Sequence, residues 1–510
     1  MTAERAGVRQ WIALAVLALP TLLVSIDVSV MLLALPHIGV GLGASSIEQL
    51  WIMDMYGFML AGFLVTMGTV GDRIGRRKLL LIGATGFAAA STLAAFSTSP
   101  LMLIAARALL GIAGATLSPS ILALISNIFR DPRQRSVAIS LWLVSFMGGM
   151  AVGPLVGGAV LEHFWWGAVF LLGIPVMLLL LLAAPFLLPE YRTEQPGRLD
   201  LLSVGMSLGT ILPVIYGLKE LARSGVQPVP LLAIGLGSCL GVLFVRRQRS
   251  LENPLVDLRL FESRAFTAAL AGMFGVTLTG ANMLFITQHL QFVEELSPLH
   301  AGEAMLPAIA ATVVGFLVSP WLARRVRPAY VIAAGLAVSI CGALLLTGVG
   351  AQNALWLLIA GYAIWNLGCA PLVSLSMNLI VGSAPPARAG SAAALSETSS
   401  EFAFALGIAV LGSLGTAIYQ LAVAGTPAAG LGDSFASVAQ VAALDQASML
   451  AAQVAFSLSL HVVAATSAVV LLGVAVLAVT CLRHVPRIGS PVVEAPMTAA
   501  TRGSGELALA

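Results

Sequence analysis

The 510-residue sequence carries little charge: only 10% of its residues are Asp, Glu, Lys or Arg, with 26 basic and 23 acidic side chains. Soluble globular proteins carry about 25% charged residues, so this sequence has too few charges to cover a water-soluble surface of its size. Its hydrophobic content of 59% and mean hydropathy of +0.98 predict an all-α integral membrane protein, in contact with the lipid bilayer. The small net charge of +3, without a basic stripe, excludes nucleic acid as a partner.

Groups for enzymatic chemistry are also scarce. The four cysteines lie in or at the ends of apolar stretches without CxxC or Cys/His metal spacing, and the six histidines are scattered without an HExxH pattern. The sequence has no P-loop, which argues against an ATP-driven pump, and no repeated filter sequence of the kind a channel would need. We therefore expect neither an enzyme nor a bound metal or organic cofactor.

Fourteen apolar stretches are long enough for membrane-spanning helices, which need about 20 residues. They cover 11–35, 49–70, 79–98, 101–126, 137–160, 167–188, 200–220, 229–246, 266–290, 303–323, 329–348, 354–380, 392–420 and 455–482. If both termini are cytoplasmic, Lys219 and Arg223 are the only basic residues in outer segments and Arg107 is the only one inside a span. Because basic residues concentrate in cytoplasmic loops, we predict a multi-pass protein of the cytoplasmic membrane with both termini inside.

We expect these helices to form two six-helix bundles with inverted repeats and an extra central helix pair at the periphery. The predicted order is a cytoplasmic N-terminus (1–10), a first bundle (11–190), linking helices (200–246), a cytoplasmic loop (247–265), a second bundle (266–482) with an outer loop (421–454), and a cytoplasmic tail (483–510).

The segment between the second and third spans reads Gly71-Asp72-Arg73-Ile74-Gly75-Arg76-Arg77-Lys78. Its glycines allow a tight turn, and Asp72 is placed to accept hydrogen bonds from a helix N-terminus or to pair with an arginine. Four basic residues alone would indicate only an ordinary cytoplasmic loop. The order of the glycines, the aspartate and the basic residues resembles the signature loop of the major facilitator superfamily. The resemblance implies a conformational gate, and it assigns this role to Gly71, Asp72, Arg73, Gly75, Arg76 and Arg77. We expect Asp72 and Arg76 to hold the bundles together on the cytoplasmic side.

Two further motifs support the resemblance. Arg107 lies inside the fourth span, where an unpartnered cation is costly; we assign it to proton coupling, with a snorkelling arginine near a helix end as the alternative. Small residues in the fifth span allow close helix contact, and a proline bends it. These residues, similar to the superfamily's antiporter motif, are Gly149, Gly153, Pro154, Gly157 and Gly158.

Segments in three spans narrow the resemblance. They are Ser25-Ile26-Asp27-Val28-Ser29-Val30, Trp51-Ile52-Met53-Asp54-Met55-Tyr56 and Leu395-Ser396-Glu397-Thr398-Ser399-Ser400-Glu401-Phe402. They resemble the fourteen-helix drug:proton antiporter family, of the QacA and SmvA type, over most of 11–482. This resemblance implies multidrug efflux by alternating access, driven by the proton gradient. We expect a monomer.

Four acids are our candidates for proton and cation binding: Asp27, Asp54, Glu397 and Glu401. A desolvated carboxylate binds a proton more readily, so one group can hold either a proton or a cationic substrate. Asp27 is the principal candidate because it lies deep in its span, with only Ser25 and Ser29 as weak hydrogen-bonding neighbours. Asp54 is alternatively an interfacial acid, and the glutamates alternatively mark a solvated helix end.

Aromatic and amide side chains are expected to line the cavity by cation–π and polar contact. These candidates are Trp51, Tyr56, Trp142, Phe146 and Asn366. The tenth span lacks an acid after Leu306-Pro307, where some multidrug transporters carry one, which leaves the handling of divalent cations open. We predict a proton-coupled exporter of amphipathic organic cations, such as quaternary ammonium compounds and dyes. The alternative is a transporter of a neutral or anionic metabolite or lipid.

Overall fold

The computed structural model confirms the predicted all-α fold with fourteen helices able to cross a membrane. It describes residues 6–44, 46–191, 200–251, 254–256, 258–296, 298–350, 354–384, 389–424, 426–427 and 446–488, among which no β-strand occurs. Most of the predicted outer loop 421–454 and of the tail 483–510 lies outside these described residues.

The membrane-spanning helices are numbered here in chain order. They are α1 (Val8–Leu42), α2 (Ser46–Ile74), α3 (Arg76–Ala95), α4 (Pro100–Ile128), α5 (Pro132–His163), α6 (Ala168–Leu187), α7 (Leu201–Ser224), α8 (Pro228–Ser250), α9 (Arg264–Gln291), α10 (Pro298–Arg325), α11 (Pro328–Leu346), α12 (Leu355–Ser383), α13 (Ala389–Val423) and α14 (Gln446–Leu482).

Several helix ends are set by local capping rather than by the edge of the apolar stretch. The side chains of Ser99, Asp131, Asp200 and Ser263 each accept a hydrogen bond from a backbone N–H in the first turn of α4, α5, α7 and α9. The first helix continues past its predicted end at 35 and stops before Gly43, whose φ of 62° suits glycine.

The helices pack as two groups joined along a seam. In the first bundle α1 packs on α5, α2 on α4, and α3 on α4 and α6; in the second, α12 contacts α10 and α11, and α14 contacts α9, α11 and α13. The seam is formed mainly by α2 against α13 and α5 against α10, with α4 also touching α13. We call the helix ends that carry Arg9, Arg77, Arg133 and Arg324 the basic face.

The linking helices α7 and α8 pack against the bundles to different extents. Helix α8 is the outer member, and most of its large apolar side chains are exposed. Helix α7 instead packs against both α2 and α13. Its buried side chains Ile211 and Ile215 face α2, and Leu218 contacts Ala405 of α13, because α7 has an apolar stripe of its own to bury.

Candidate transport site

Asp27 of α1 and Arg107 of α4 form an ion pair inside the first bundle. The Arg107 Nη1–Asp27 Oδ2 distance is 2.7 Å, and the side chains are only 2% and 12% exposed. Arg107 also donates from Nε to the carbonyl oxygen of Ile52 at 3.1 Å, and its guanidinium lies 4.8 Å from the centre of the Tyr56 ring. The alternative of a snorkelling arginine is therefore wrong, since Arg107 is fixed by three helix-bound partners.

Arg107, and not the neighbouring serines, is the partner of the Asp27 carboxylate. Neither serine has a hydrogen bond to it among the described contacts: Ser25 donates to the carbonyl oxygen of Leu22 at 2.8 Å, and Ser29 donates to that of Ile26 at 3.0 Å. Serine in a helix commonly bonds to its own backbone in this way. Asp27 and Arg107 therefore form one buried ion pair between α1 and α4.

Three glycines of the predicted antiporter motif press α5 onto α1. A Cβ at Gly149 or Gly153 would collide with Ser25 or Ser29 of α1, and one at Gly157 would lie 2.7 Å from Val30. Small residues thus allow the close approach that the motif implied. Gly158 does not take part, because a Cβ there would meet open space. The side chain of Pro154 lies outside the described part of the structure.

Asp54 of α2 has a partner on the linking helix α7. Lys219 Nζ lies 2.8 Å from Asp54 Oδ1, and both side chains are partly exposed, at 35% and 40%. The ammonium group also lies 4.7 Å from the centre of the Phe58 ring, a favourable cation–π geometry. The structure therefore places Asp54 in an ion pair between α2 and the linking helix α7.

Glu397 and Glu401 lie one turn apart on α13 and are both half-buried. In the described part of the chain neither forms an ion pair within 4.0 Å. Helix α13, which carries both glutamates, packs against α2, which carries Tyr56, and also touches α4, which carries Arg107.

The predicted cavity-lining residues occupy varied environments. Trp51 is exposed, and Phe146 is half-buried. Tyr56 is only 4% exposed, and its hydroxyl has no hydrogen-bonding partner among the described residues. Trp142 is buried and donates from Nε1 to Thr21 Oγ1 at 2.7 Å, tying α5 to α1. Trp142 is therefore primarily a bridge between helices rather than an open cavity wall, because its indole N–H needs a partner when buried.

Asn366 likewise bridges two helices of the second bundle. Its amide accepts a hydrogen bond from Thr312 of α10 at 3.3 Å and donates one to the carbonyl oxygen of Tyr362 at 2.9 Å. Both ends of the amide are therefore occupied within the bundle.

The predicted gating loop joins the two bundles at the basic face. Asp72 forms an ion pair with Arg76, and its second oxygen accepts a hydrogen bond from Ser391 of α13 at 2.6 Å. Arg76 is fully buried. A Cβ at Gly71 would lie 2.5 Å from Arg76 Nη1, so a larger residue there would displace the buried guanidinium. The Asp72 side chain thus connects α2 of the first bundle to α13 of the second, and its ion pair with Arg76 holds it in this position.

The remaining residues of the loop attach it to the end of α6. The carboxylate of Glu190 accepts hydrogen bonds from the backbone N–H of Arg77 at 3.1 Å and of Lys78 at 3.2 Å, at the N-terminus of α3, where a negative charge is favoured. Gly75 adopts a φ of 113°, a conformation open to glycine, and a side chain there would strike Glu190. Arg73 is half-buried beside Asp72.

Three further hydrogen bonds connect the bundles near the basic face. The hydroxyls of Ser140 and Ser374 are 2.8 Å apart, Asn378 donates to Ser136 Oγ at 3.2 Å, and Arg324 donates to the carbonyl oxygen of Arg133 at 3.5 Å. With the Asp72–Ser391 bond, they show that the bundles are held together at this face.

Sequence reasoning missed the partners that complete the site: Glu190, Lys219 and Ser391. Lys219, at the outer end of the seventh span (200–220), was counted only as a basic residue on the outer side and was not assigned a partner. The position of Glu190 at the end of the sixth span, near the basic loop, is a usable signal for a helix cap. Nothing local marks Ser391 among the other serines of its helix.

Comparison with known proteins identifies the family of this chain. The profile of the Major Facilitator Superfamily matches residues 17–408. The chain belongs to this superfamily. It is 43% identical over 418 residues to the multidrug efflux pump LfrA of Mycolicibacterium smegmatis, covering 82% of this chain and 83% of the relative. It is 36% identical to the methyl viologen resistance protein SmvA of Salmonella typhimurium, covering 80% and 82%.

Among solved structures, the human organic anion transporter MFSD10 has the same fold. The TM-score is 0.58 at 17% identity, over 91% of this chain and 98% of the other. The chain is therefore a multi-pass transporter of small molecules, related to drug efflux pumps, and not an enzyme.

Proposed function

We propose that this protein is a proton-coupled antiporter of the cytoplasmic membrane that exports amphipathic organic cations by alternating access, as a monomer without a cofactor. The observation that carries the proposal is the acidic pair Glu397 and Glu401, half-buried at the seam without an ion-pair partner in the described residues. Buried carboxylates without a cation favour either a proton or a cationic ligand.

Exchange then follows from competition at these carboxylates. Like charges one turn apart repel each other, which favours a bound proton on the pair when no substrate is present. An arriving cation replaces that proton, and the inward proton gradient restores it after export. The membrane potential contributes about 2.3 kcal/mol per charge per 100 mV. Asp27, paired with Arg107 inside the first bundle, supplies a second acid. Protonation of its carboxylate would break the ion pair with Arg107.

The contacts at the basic face support an outward-facing state for this structure. Because basic residues favour the cytoplasmic side, we assign the basic face, and both termini, to the cytoplasm. The Asp72–Ser391 bond and the Ser140–Ser374 contact then close the cytoplasmic side. Transport requires these contacts to break when the opposite side closes.

The relatives support cation export over the alternative of a neutral or anionic substrate. SmvA is named for resistance to methyl viologen, a dication, and LfrA is a multidrug efflux pump. The likeness to the organic anion transporter, at 17% identity, concerns the fold alone. Arg107, the buried cation that would hold an anion, is already occupied by Asp27.

The test is efflux of ethidium from a host that lacks its own multidrug pumps, followed by substrate-induced proton release from the purified protein. We expect the wild type to export ethidium and release protons, and Glu397→Gln/Glu401→Gln to lose both. The control is Glu303→Gln, the same chemical change at an exposed acid on α10. Export of anions by the wild type, or proton release retained without the two glutamates, would contradict the proposal.

A further inference from the structure

Lys219 occupies a position between the two bundles on a helix that belongs to neither. It pairs with Asp54 of α2 at 2.8 Å, and its helix, α7, packs against both α2 and α13. Its neighbour Leu218 packs on Ala405 and Ala409 of α13, one and two turns beyond Glu401. Lys219 therefore lies on the helix that packs against α13, which carries the glutamates that the proposed function assigns to cations.

The four candidate acids divide into those with and those without an ion-pair partner. Arg107 balances Asp27, and Lys219 balances Asp54. Glu397 and Glu401 have no ion pair among the described residues. Removing the charge of Lys219 would add Asp54 to the uncompensated acids, so this one residue sets the net negative charge that a substrate meets.

The Lys219–Asp54 pair is more exposed than the Asp27–Arg107 pair. Both of its side chains are more than a third exposed, and exposed ion pairs hold a structure together weakly. Arg107, by contrast, is only 2% exposed and has partners on two other helices. Of the two cations, Lys219 is therefore the one whose ion pair a charged substrate can break at the lower cost.

We propose that Lys219 is a specificity residue, whose positive charge makes the protein favour monovalent over divalent organic cations. This inference rests on the proposed cation export. Lys219 acts in two ways: it removes Asp54 as a second carboxylate for a doubly charged substrate, and it repels positive charge near Glu401. Because Coulomb energy scales with the product of charges, a dication meets twice the repulsion that a monocation meets at the same distance.

The experiment measures transport of a monocation, ethidium, and a dication, methyl viologen, by purified protein in proteoliposomes with an imposed pH gradient. The readout is the ratio of the two kcat/KM values. Lys219→Met keeps the length of the side chain but removes its charge, and should raise the dication-to-monocation ratio roughly threefold or more. Lys219→Arg keeps the charge and should retain the wild-type ratio.

Asp54→Asn is the matched control, because it breaks the same ion pair and leaves Lys219 positive. It should lower the ratio, whereas Asp54→Asn/Lys219→Met, which removes both charges, should return it close to the wild type. If Lys219 only held α7 against α2, all three variants would shift the ratio in the same direction or leave it unchanged. That result would overturn the proposal.

The comparison remains decisive if Lys219→Met does not fold, because Asp54→Asn must then still give a lower ratio than the double variant. Two failures are distinguishable. A wild type that exports neither cation would refute the proposed function together with this inference. A wild type that exports ethidium, with variants that lack the predicted order, would refute the role of Lys219 alone.

Discussion

The replacement Asp27→Asn should separate two roles of the buried ion pair, because it removes charge while keeping size. The variant leaves Arg107 charged and almost fully buried. Removing one partner of a buried pair costs about 3–5 kcal/mol. Arg107 keeps its bond to the Ile52 carbonyl and its position over Tyr56, and an asparagine oxygen can still accept one hydrogen bond. We therefore expect Asp27→Asn to lower the free energy of unfolding by about 3 kcal/mol, the lower end of this range.

Function should fall further than stability. Asparagine binds no proton in the physiological range, so Asp27→Asn should abolish export of monovalent cations and the coupled proton exchange, and Asp27→Glu should retain part of both. The measurement is substrate-induced proton release from purified protein across pH, alongside thermal unfolding in detergent. Asp27→Asn/Arg107→Met provides the control, since it removes both charges and should recover stability without recovering proton release.

Two outcomes would refute this reasoning. If Asp27→Asn unfolds at the wild-type temperature, the buried Arg107 charge does not depend on Asp27. If the variant still releases protons on cation binding, then Asp27 is not part of the coupling, and the exchangeable proton belongs to Glu397 and Glu401 alone.

Three further predictions concern packing, gating and pH. Gly149→Val should impair folding by pushing α5 off α1, whereas Gly158→Val, facing open space, should leave the yield of folded protein in detergent unchanged. Asp72→Asn should slow turnover while leaving substrate affinity nearly intact, measured as kcat against binding of a fluorescent cation; loss of affinity alone would contradict a gating role. The hydrogen bond from Ser203 holds the pKa of the Asp200 carboxyl below its usual range. A carboxyl whose pKa is lower in the folded than in the unfolded protein stabilises the folded state at pH values above its unfolded pKa of about 3.9. This stabilisation is lost as the pH falls through the folded-state pKa. Asp200→Asn should therefore unfold more easily than the wild type near neutral pH, with a difference that disappears in strong acid.

The number and type of helices were predictable because they follow from the length of apolar stretches. Each span needs about 20 apolar residues whatever its neighbours are, and composition along the chain records this directly. Helix ends were less predictable. Helix α14 begins at Gln446 rather than 455, because a helix can continue beyond its apolar core wherever its backbone stays hydrogen-bonded.

The pairing of charged residues was not predictable from local pattern. Asp27 meets Arg107 across 80 positions, Asp54 meets Lys219 across 165, and Asp72 meets Ser391 of α13 across 319. Helical periodicity relates only residues three or four apart. A sequence can therefore indicate that a buried acid needs a partner, while the identity of that partner depends on how the helices pack.

The partners explain why the four candidate acids are not equivalent. Asp27 is bound to a buried arginine, which a proton must displace; Asp54 is bound to a partly exposed lysine; Glu397 and Glu401 have no ion-pair partner in the described structure. These three carboxylate environments provide different affinities for a proton and for a cation. If a cation binds the glutamates first, the Asp27–Arg107 pair can respond through Tyr56, whose buried hydroxyl has no partner among the described residues. Tyr56→Phe should therefore preserve cation binding at the glutamates but weaken its coupling to proton release, measured as protons released per cation bound. Unchanged coupling in this variant would mean that the two acidic sites act independently.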